Sequence, residues 1–290
     1  MKIAFIGLGN MGGGMAANLA SSGQEVRAFD LSEVALAQAA ASGCRTFPTA
    51  REAVQTAEAV VSMLPNGAIV ERVFTEDVIG HAPAGAILID CSTIDIATAR
   101  KVGAAAVDAG HEIVDAPVSG GIAASRAGTL TFMVGGSQQA FERANAVLSH
   151  MGKAVIHAGD SGAGQTAKIC NNMLLGIHMI GTCEAFAMAG RLGLDPQTFF
   201  DISSVSSGQC WSMTSYCPVP GVGPESPADH GYQGGFATAL MLKDLKLAME
   251  AAGIAGIDPR MGRQAQEIYE DFDAAGNGSL DFSAIFNSIK

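Results

Sequence analysis

"KIAFIGLGNMG", residues 2–12, carries an apolar run straight into three glycines, Gly7, Gly9 and Gly12. The run predicts a strand, and the "MGGGMAANLASSG" that follows predicts a helix closed by Gly23. In such a turn Gly7 permits the tight bend, Gly9 lets the backbone approach a pyrophosphate, and Gly12 lets the helix sit close on the strand. The free N–H groups and dipole of the helix N-terminus then favour anions. A glycine turn alone is common. Here "EVRAFD" adds a second strand ending in an acid, Asp30, at the roughly 20-residue spacing the dinucleotide fingerprint requires. Gly7, Leu8, Gly9, Asn10, Met11, Gly12 and Asp30 are therefore the candidate cofactor site. A carboxylate accepts from ribose hydroxyls and repels a 2′-phosphate, so NAD is expected rather than NADP. Arg27, the nearest cation in sequence, sits inside the second strand.

Outward from this unit, "AVVSMLP", "GAILIDCST", "HEIVDAPVSGG" and "TLTFMVGG" read as further strands, with helical segments such as "ATARKVGAAAVDAG" between most of them. The alternation argues for a parallel sheet covered on both faces, with ligands at the strands' carboxyl ends. After about residue 163 the strand-like runs stop. Residues 164–192 suit one helix of about 28 residues, roughly 42 Å long, apolar nearly all round and so buried between domains or subunits. "GLDPQTFFDISSVSSG" starts a new helix at Pro196. "SYCPVPGVGPESPADHGYQGGF" is an ordered loop, and "GGFATALMLKDLKLAMEAAG" is a helix stopped near Gly253. The expected domains are residues 1–163 and 164–290.

Hydrophobic residues make up 48% of the 290 and charged ones 16%, which suits a well-packed globular chain. A formal net charge of −11 excludes broad phosphate-backbone recognition, so no nucleic-acid partner is expected. The six cysteines form no CxxC and no zinc spacing, as for reduced thiols; no metal site and a cytoplasmic location are expected. "MKIAFIG" enters a strand without a leader-like segment. "ICNNMLLGIHMIGTCEAFAMAG" (169–190) mimics a membrane span, but its asparagines, His178 and Glu184 favour a buried helix and no membrane.

Several stretches carry candidate chemistry. "SMLPN" and "DCSTI" end strands on the cofactor edge, which places Leu64, Pro65 and Thr93 beside the dinucleotide; as plain strand-to-helix loops they would mean nothing. In "DAPVSGG" (115–121), Ser119 offers a hydroxyl and Gly120 and Gly121 offer N–H groups, together able to hold a carboxylate, though a bare turn reads the same way. "GAGQTAKICNN" (162–172) puts Lys168 and Asn172 on one helix face, with "MLLGIHMIG" next. Hydride transfer from an alcohol needs a group for the hydroxyl proton. A lysine can serve if burial and the positive nicotinamide lower its pKa from about 10.4. The alternative is a lysine snorkelling at a domain seam. Lys243, flanked by Leu240 and Leu247, and Asp244 pose the same choice between a functional charge and a structural ion pair. "DFDAAGNGSLDF" (271–282) imitates a calcium loop, but both registers lack the bidentate acid. His157, His178 and His230 are isolated.

In this order the motifs resemble the β-hydroxyacid dehydrogenase family nearly end to end. "FIGLGNMG", "DAPVSGG", "GAGQTAKICNN" and "KD" carry the family likeness, and "SSGQCWS", "CPVPGV" and "YQGGF" are similar to its hydroxyisobutyrate branch. The resemblance implies a Rossmann domain, an interdomain helix and an all-helical C-terminal domain that also builds a homodimer or homotetramer. It implies NAD-dependent oxidation of 3-hydroxyisobutyrate, a small 3-hydroxyacid, to methylmalonate semialdehyde in valine breakdown. It makes Lys168 catalytic, puts Ser119, Gly120, Gly121 and Asn172 at the substrate, puts Leu64, Pro65, Thr93 and Lys243 at the cofactor, and sets Asp244 near the reacting end. One departure is Ile69, which stands where some relatives carry an asparagine. The rival readings are a reductase of tartronate or succinic semialdehyde and an NAD-binding regulator without catalysis.

Overall fold

The computed structural model describes residues 1–289, and the chain divides into two compact units, Met1–Lys168 and Ile169–Lys290. In the first unit the strands are β1 (Lys2–Ile6), β2 (Glu25–Phe29), β3 (Arg45–Thr46), β4 (Ala59–Ser62), β5 (Ile87–Asp90), β6 (Glu112–Asp115), β7 (Val118–Ser119), β8 (Leu130–Gly135) and β9 (Gly152–Gly159). They form one sheet in the order β3-β2-β1-β4-β5-β6-β8-β7, with β9 paired to β8. The first six run parallel, and β8 is antiparallel to β6 and β7 but parallel to β9. The parallel sheet expected from sequence thus carries an antiparallel extension. Strand order reverses after β1, so the switch point where such sheets bind ligands lies at its carboxyl end, where the glycine turn begins.

Helices α1 (Gly12–Ser21), α2 (Glu33–Ala41), α3 (Ala50–Val54), α4 (Gly67–Val73), α5 (Ile96–Asp108), α6 (Gly121–Ala127) and α7 (Gln138–Leu148) fill the connections. Period-two burial explains why they lie on both faces. Ile3, Phe5, Val61 and Ile89 belong to a core shared with α1 and α7. Their neighbours Ala4, Ile6, Val60 and Leu88 belong to a second core shared with α3, α4 and α5. Strands buried on both sides read as continuous apolar runs. β9 does not: its residues alternate between half-buried and exposed, with Ile156 at 55% exposure, so it carries no such run.

The long helix α8 spans Ala163–Arg191, 29 residues, one position from the expected bounds. The unit division falls inside it rather than before it. In the second unit α8 is followed by α9 (Pro196–Ser203), α10 (Trp211–Thr214), α11 (Thr238–Ala255), α12 (Arg260–Phe272) and α13 (Phe286–Ile289). Asp195 caps α9, with Pro196 at its first turn. α11 runs past Gly253 and stops at Gly256, which takes the left-handed conformation (φ 69°). Met179 and Cys183 of α8 pack with Met241 and Leu245 of α11 and Tyr269 and Phe272 of α12. Leu174 and Met188, by contrast, are at least half exposed, so α8 is not buried all round within its own chain. The calcium-like stretch is a kinked turn whose Asp281 faces inward, accepting from Tyr216 Oη at 2.8 Å, Phe236 N at 2.7 Å and Ser283 N at 2.9 Å.

Candidate active site

The glycine turn is built by close backbone approach. A Cβ on Gly7, whose φ is +93°, would strike the Met63 carbonyl, and one on Gly12 would strike the Gly7 carbonyl. A Cβ on Gly9 would meet nothing within 4 Å, so that flank of the turn is open to a ligand. Asp30 follows β2 and is half-buried. Its Oδ2 accepts from Leu8 N at 2.6 Å and its Oδ1 from Ser32 N at 2.8 Å. The acid expected at the ribose therefore also clamps the loop. An open glycine flank, a helix N-terminus and a partly solvated carboxylate together fit a dinucleotide. Arg27 is committed elsewhere: its Nε donates to Ala53 O at 2.7 Å, its Nη2 to Glu52 O at 2.8 Å, and it lies 3.9 Å over the Phe47 ring.

The adjacent strand ends join this edge. Leu64 N donates to Ser92 Oγ at 2.8 Å, tying the "SMLPN" loop to the residue before Thr93. Pro65 is exposed, next to Asn66, which caps α4 through Ile69 N. Ile69, the departure noted above, packs on the second core. Asp90 is 4% exposed; it accepts from Ser62 Oγ at 2.7 Å and Ser92 Oγ at 2.6 Å, and burial pushes its carboxyl up against those bonds. Ser119 lies on β7, and Gly120 (φ +134°) and Gly121 (φ +68°) lead into α6. That helix is latched to the cofactor helix: Ser125 Oγ donates to Met11 O and Asn18 Nδ2 donates to Ser125 O at 2.6 Å.

Lys168 lies in the second turn of α8 and is 8% exposed. Gln165, three residues earlier, donates through Nε2 to Ser92 O at 2.8 Å and accepts at Oε1 from Ile94 N at 3.1 Å. Thr93 sits between those two partners, so the first unit joins the lysine's helix to the cofactor loop. Asp115, 6% exposed at the end of β6, accepts from Gly162 N at 2.7 Å and Gln165 N at 2.9 Å. Burial raises its carboxyl to about 6, opposed by these bonds and reinforced by Asp90. Asp90, Ser92, Asp115 and Gln165 are site residues that the sequence motifs do not single out. The available signal was an acid ending each of two apolar strands and an amide inside the lysine motif.

The second unit brings three more expected residues together. Asn172 Nδ2 donates to Asp244 Oδ2 at 2.6 Å, and both residues are 2% exposed. Asp244 Oδ1 makes no hydrogen bond among the described residues and lies 3.6 Å from Lys243 Nζ. On α11 the buried stripe holds Met241, Asp244, Leu245 and Ala248. Leu240 is 45% exposed, so Lys243 stands at the edge of the packed face rather than on it.

Comparison with known proteins matches both halves. A family model described as the NAD binding domain of 6-phosphogluconate dehydrogenase covers residues 2–159. One described as NAD-binding of NADP-dependent 3-hydroxyisobutyrate dehydrogenase covers residues 162–289. A 3-hydroxyisobutyrate dehydrogenase of Pseudomonas aeruginosa is 47% identical over 288 residues, covering 98% of this chain and 96% of its own. An NAD-dependent L-serine dehydrogenase of the same species is 44% identical over 286 residues, with the same coverage. The solved structure of Mycobacterium tuberculosis 3-hydroxyisobutyrate dehydrogenase with L-serine superposes with a TM-score of 0.95 at 46% identity, covering 99% of this chain and 98% of that one. With a glycine-turn Rossmann unit, a 29-residue helix carrying the lysine and full-length likeness of this kind, the chain belongs to the 3-hydroxyisobutyrate dehydrogenase family of NAD-dependent oxidoreductases.

Proposed function

We propose that the chain oxidises 3-hydroxyisobutyrate to methylmalonate semialdehyde, a step of valine breakdown, with Lys168 as the general base. The observation that carries this is an almost buried lysine in the second turn of α8, three residues after the amide that brackets Thr93. A nicotinamide dinucleotide held by the glycine turn and Asp30 would supply the hydride acceptor for the substrate carbon. Lys168 takes the hydroxyl proton, Asn172 orients the hydroxyl, and Asp244 holds Asn172. Ser119 and the N–H groups of Gly120 and Gly121 hold the carboxylate. Lys243 serves the cofactor. Asp30 and the committed Arg27 support NAD over NADP, although the family matched by residues 162–289 is described for an NADP-dependent enzyme.

Replacing Lys168 with alanine should lower kcat by about 10²–10⁴, the usual contribution of a positioned base, while NAD still binds; near-normal turnover would end this reading. L-Serine is a second candidate, because it shares the hydroxyl β to a carboxylate and one 44% identical relative is named for it. A panel of 3-hydroxyisobutyrate, L-serine and the tartronate and succinic semialdehydes, followed by NADH absorbance with NADP in parallel, decides. The reading expects the highest kcat/KM for 3-hydroxyisobutyrate with NAD. We also propose a homodimer or homotetramer, supported by exposed Met188, Leu192 and Val205 in the second unit; light scattering showing only monomer would refute it.

A further inference from the structure

Helix starts leave N–H groups without partners, and short polar side chains usually cap them locally. Five helices of the first unit follow that rule: α2 uses Ser32, α3 Thr49, α4 Asn66, α5 Asp95 and α7 Ser137. α8 is different. Ala163 N donates locally to Asp160 O at 2.9 Å, but the N–H groups on either side of that first turn are held by Asp115 of β6, 47 and 50 residues away, through Gly162 N at 2.7 Å and Gln165 N at 2.9 Å. A local cap would satisfy those donors equally well. A remote cap also fixes where the helix begins relative to the sheet.

The fit around Asp115 is tight. A Cβ on Gly135 would come within 2.5 Å of Asp115 Oδ1, and one on Gly164 within 2.6 Å of Asp115 O. Gln165, fully buried, completes the tie by bonding Ser92 O and Ile94 N with the two ends of its amide. The turn just before Lys168 is thus bolted on one side to the end of β6 and on the other to the loop of Thr93. Ionised Asp115 is poorly suited to so buried a place, since burial raises its carboxyl to about 6 despite both bonds.

We propose that Asp115 and Gln165 are positioning residues for Lys168, setting the place and rotation of the first turns of α8 against the Thr93 loop and so the location of the amine. This rests on the role given to Lys168 above. In Asp115→Asn, the amide can accept one N–H but presents its own donors to the other, so the helix start must shift. In Gln165→Met, the volume stays and both loop bonds go. A displacement of about 1 Å can cost up to 10² in rate.

The test compares wild type, Asp115→Asn, Gln165→Met and Lys168→Ala for stability, NAD affinity by calorimetry, and kcat and KM against pH. Expected for both positioning variants is a folded protein that binds NAD within about threefold of wild type, with kcat down about tenfold or more and the ionisation limb of its pH profile moved. Asp115→Asn should also be at least as stable as wild type at neutral pH, because it removes a buried charge. A kcat within about twofold of wild type and an unmoved profile in both variants, with Lys168→Ala inactive, would overturn this inference and leave the lysine's role intact. Failure of Asp115→Asn to fold would overturn it too, by making the acid a stability element. Turnover surviving in Lys168→Ala would remove the lysine assignment and this inference with it.

Discussion

Asp115 should leave a signature in the response of stability to acid. Its folded carboxyl titrates near 6 against an ordinary 3.8. At about 1.36 kcal/mol per unit, the gap is worth about 3 kcal/mol in favour of the protonated acid in the folded state. Because the folded value lies above the unfolded one, this contribution is present in full below about pH 4 and is lost as pH rises through about 6. At 6% exposure solvent screening removes little of it. Linkage over the narrower window gives wild type about 1.4 kcal/mol of extra stability on going from pH 7 to pH 5, relative to Asp115→Asn, which has nothing to titrate there. The charged group acting on Asp115 is Asp90 of the neighbouring strand, present in both proteins. Native-state hydrogen exchange of β5 and β6 amides reads the unit that contains Asp115, and comparison at matched pH cancels intrinsic exchange. Opening free energies that stay parallel within about 0.3 kcal/mol from pH 5 to 7 would refute the buried-charge reasoning.

Two further substitutions test other parts of the structure. Asp30→Ala removes a charged acceptor for Leu8 N as well as the ribose partner, so KM for NAD should rise about 10–100-fold and the preference over NADP should shrink; steady-state kinetics with both cofactors would show an unchanged ratio if Asp30 only shapes the loop. Tyr269→Phe deletes a fully buried hydroxyl that donates to Phe282 O at 3.1 Å. It should cost about 1–2 kcal/mol in denaturant unfolding without touching kcat, since the carbonyl is left without its partner.

What could be read from the chain was local. The glycine turn, the doubly buried strands β1, β2, β4, β5 and β6, and the span of α8 each announce themselves within a short window of sequence. β3 is two residues long, and β9 has a half-exposed pattern; neither window contains a buried run. The reversal at β8 depends on which strand it meets, through a single Asp115–Gly135 pairing with β6, and periodicity carries no direction. Leu240 and Leu247 made Lys243 look surrounded by apolar residues, but neither is on the packed stripe of α11. The place of Arg27 inside the second strand is legible in sequence, but its hydrogen bonds to the end of α3 are visible only in three dimensions.

The strand-end acids show where local reading must fail. Asp30, Asp90 and Asp115 each close an apolar strand and are equivalent as sequence. Burial separates them. Asp30 is half-buried and keeps lone pairs toward solvent after bonding Leu8 N and Ser32 N, so it can still receive a ribose. Asp90 and Asp115 are 4% and 6% exposed, and each accepts hydrogen bonds from neighbouring hydroxyls or backbone N–H groups. Such acids cannot reach a ligand; they can only hold a loop or a helix where a ligand will meet it. The same residue type at the same kind of position is thus a binding group on β2 and scaffolding on β5 and β6, and the deciding variable is the covering supplied by later elements: for Asp115, the start of α8, laid across it by the Gly162 and Gln165 bonds.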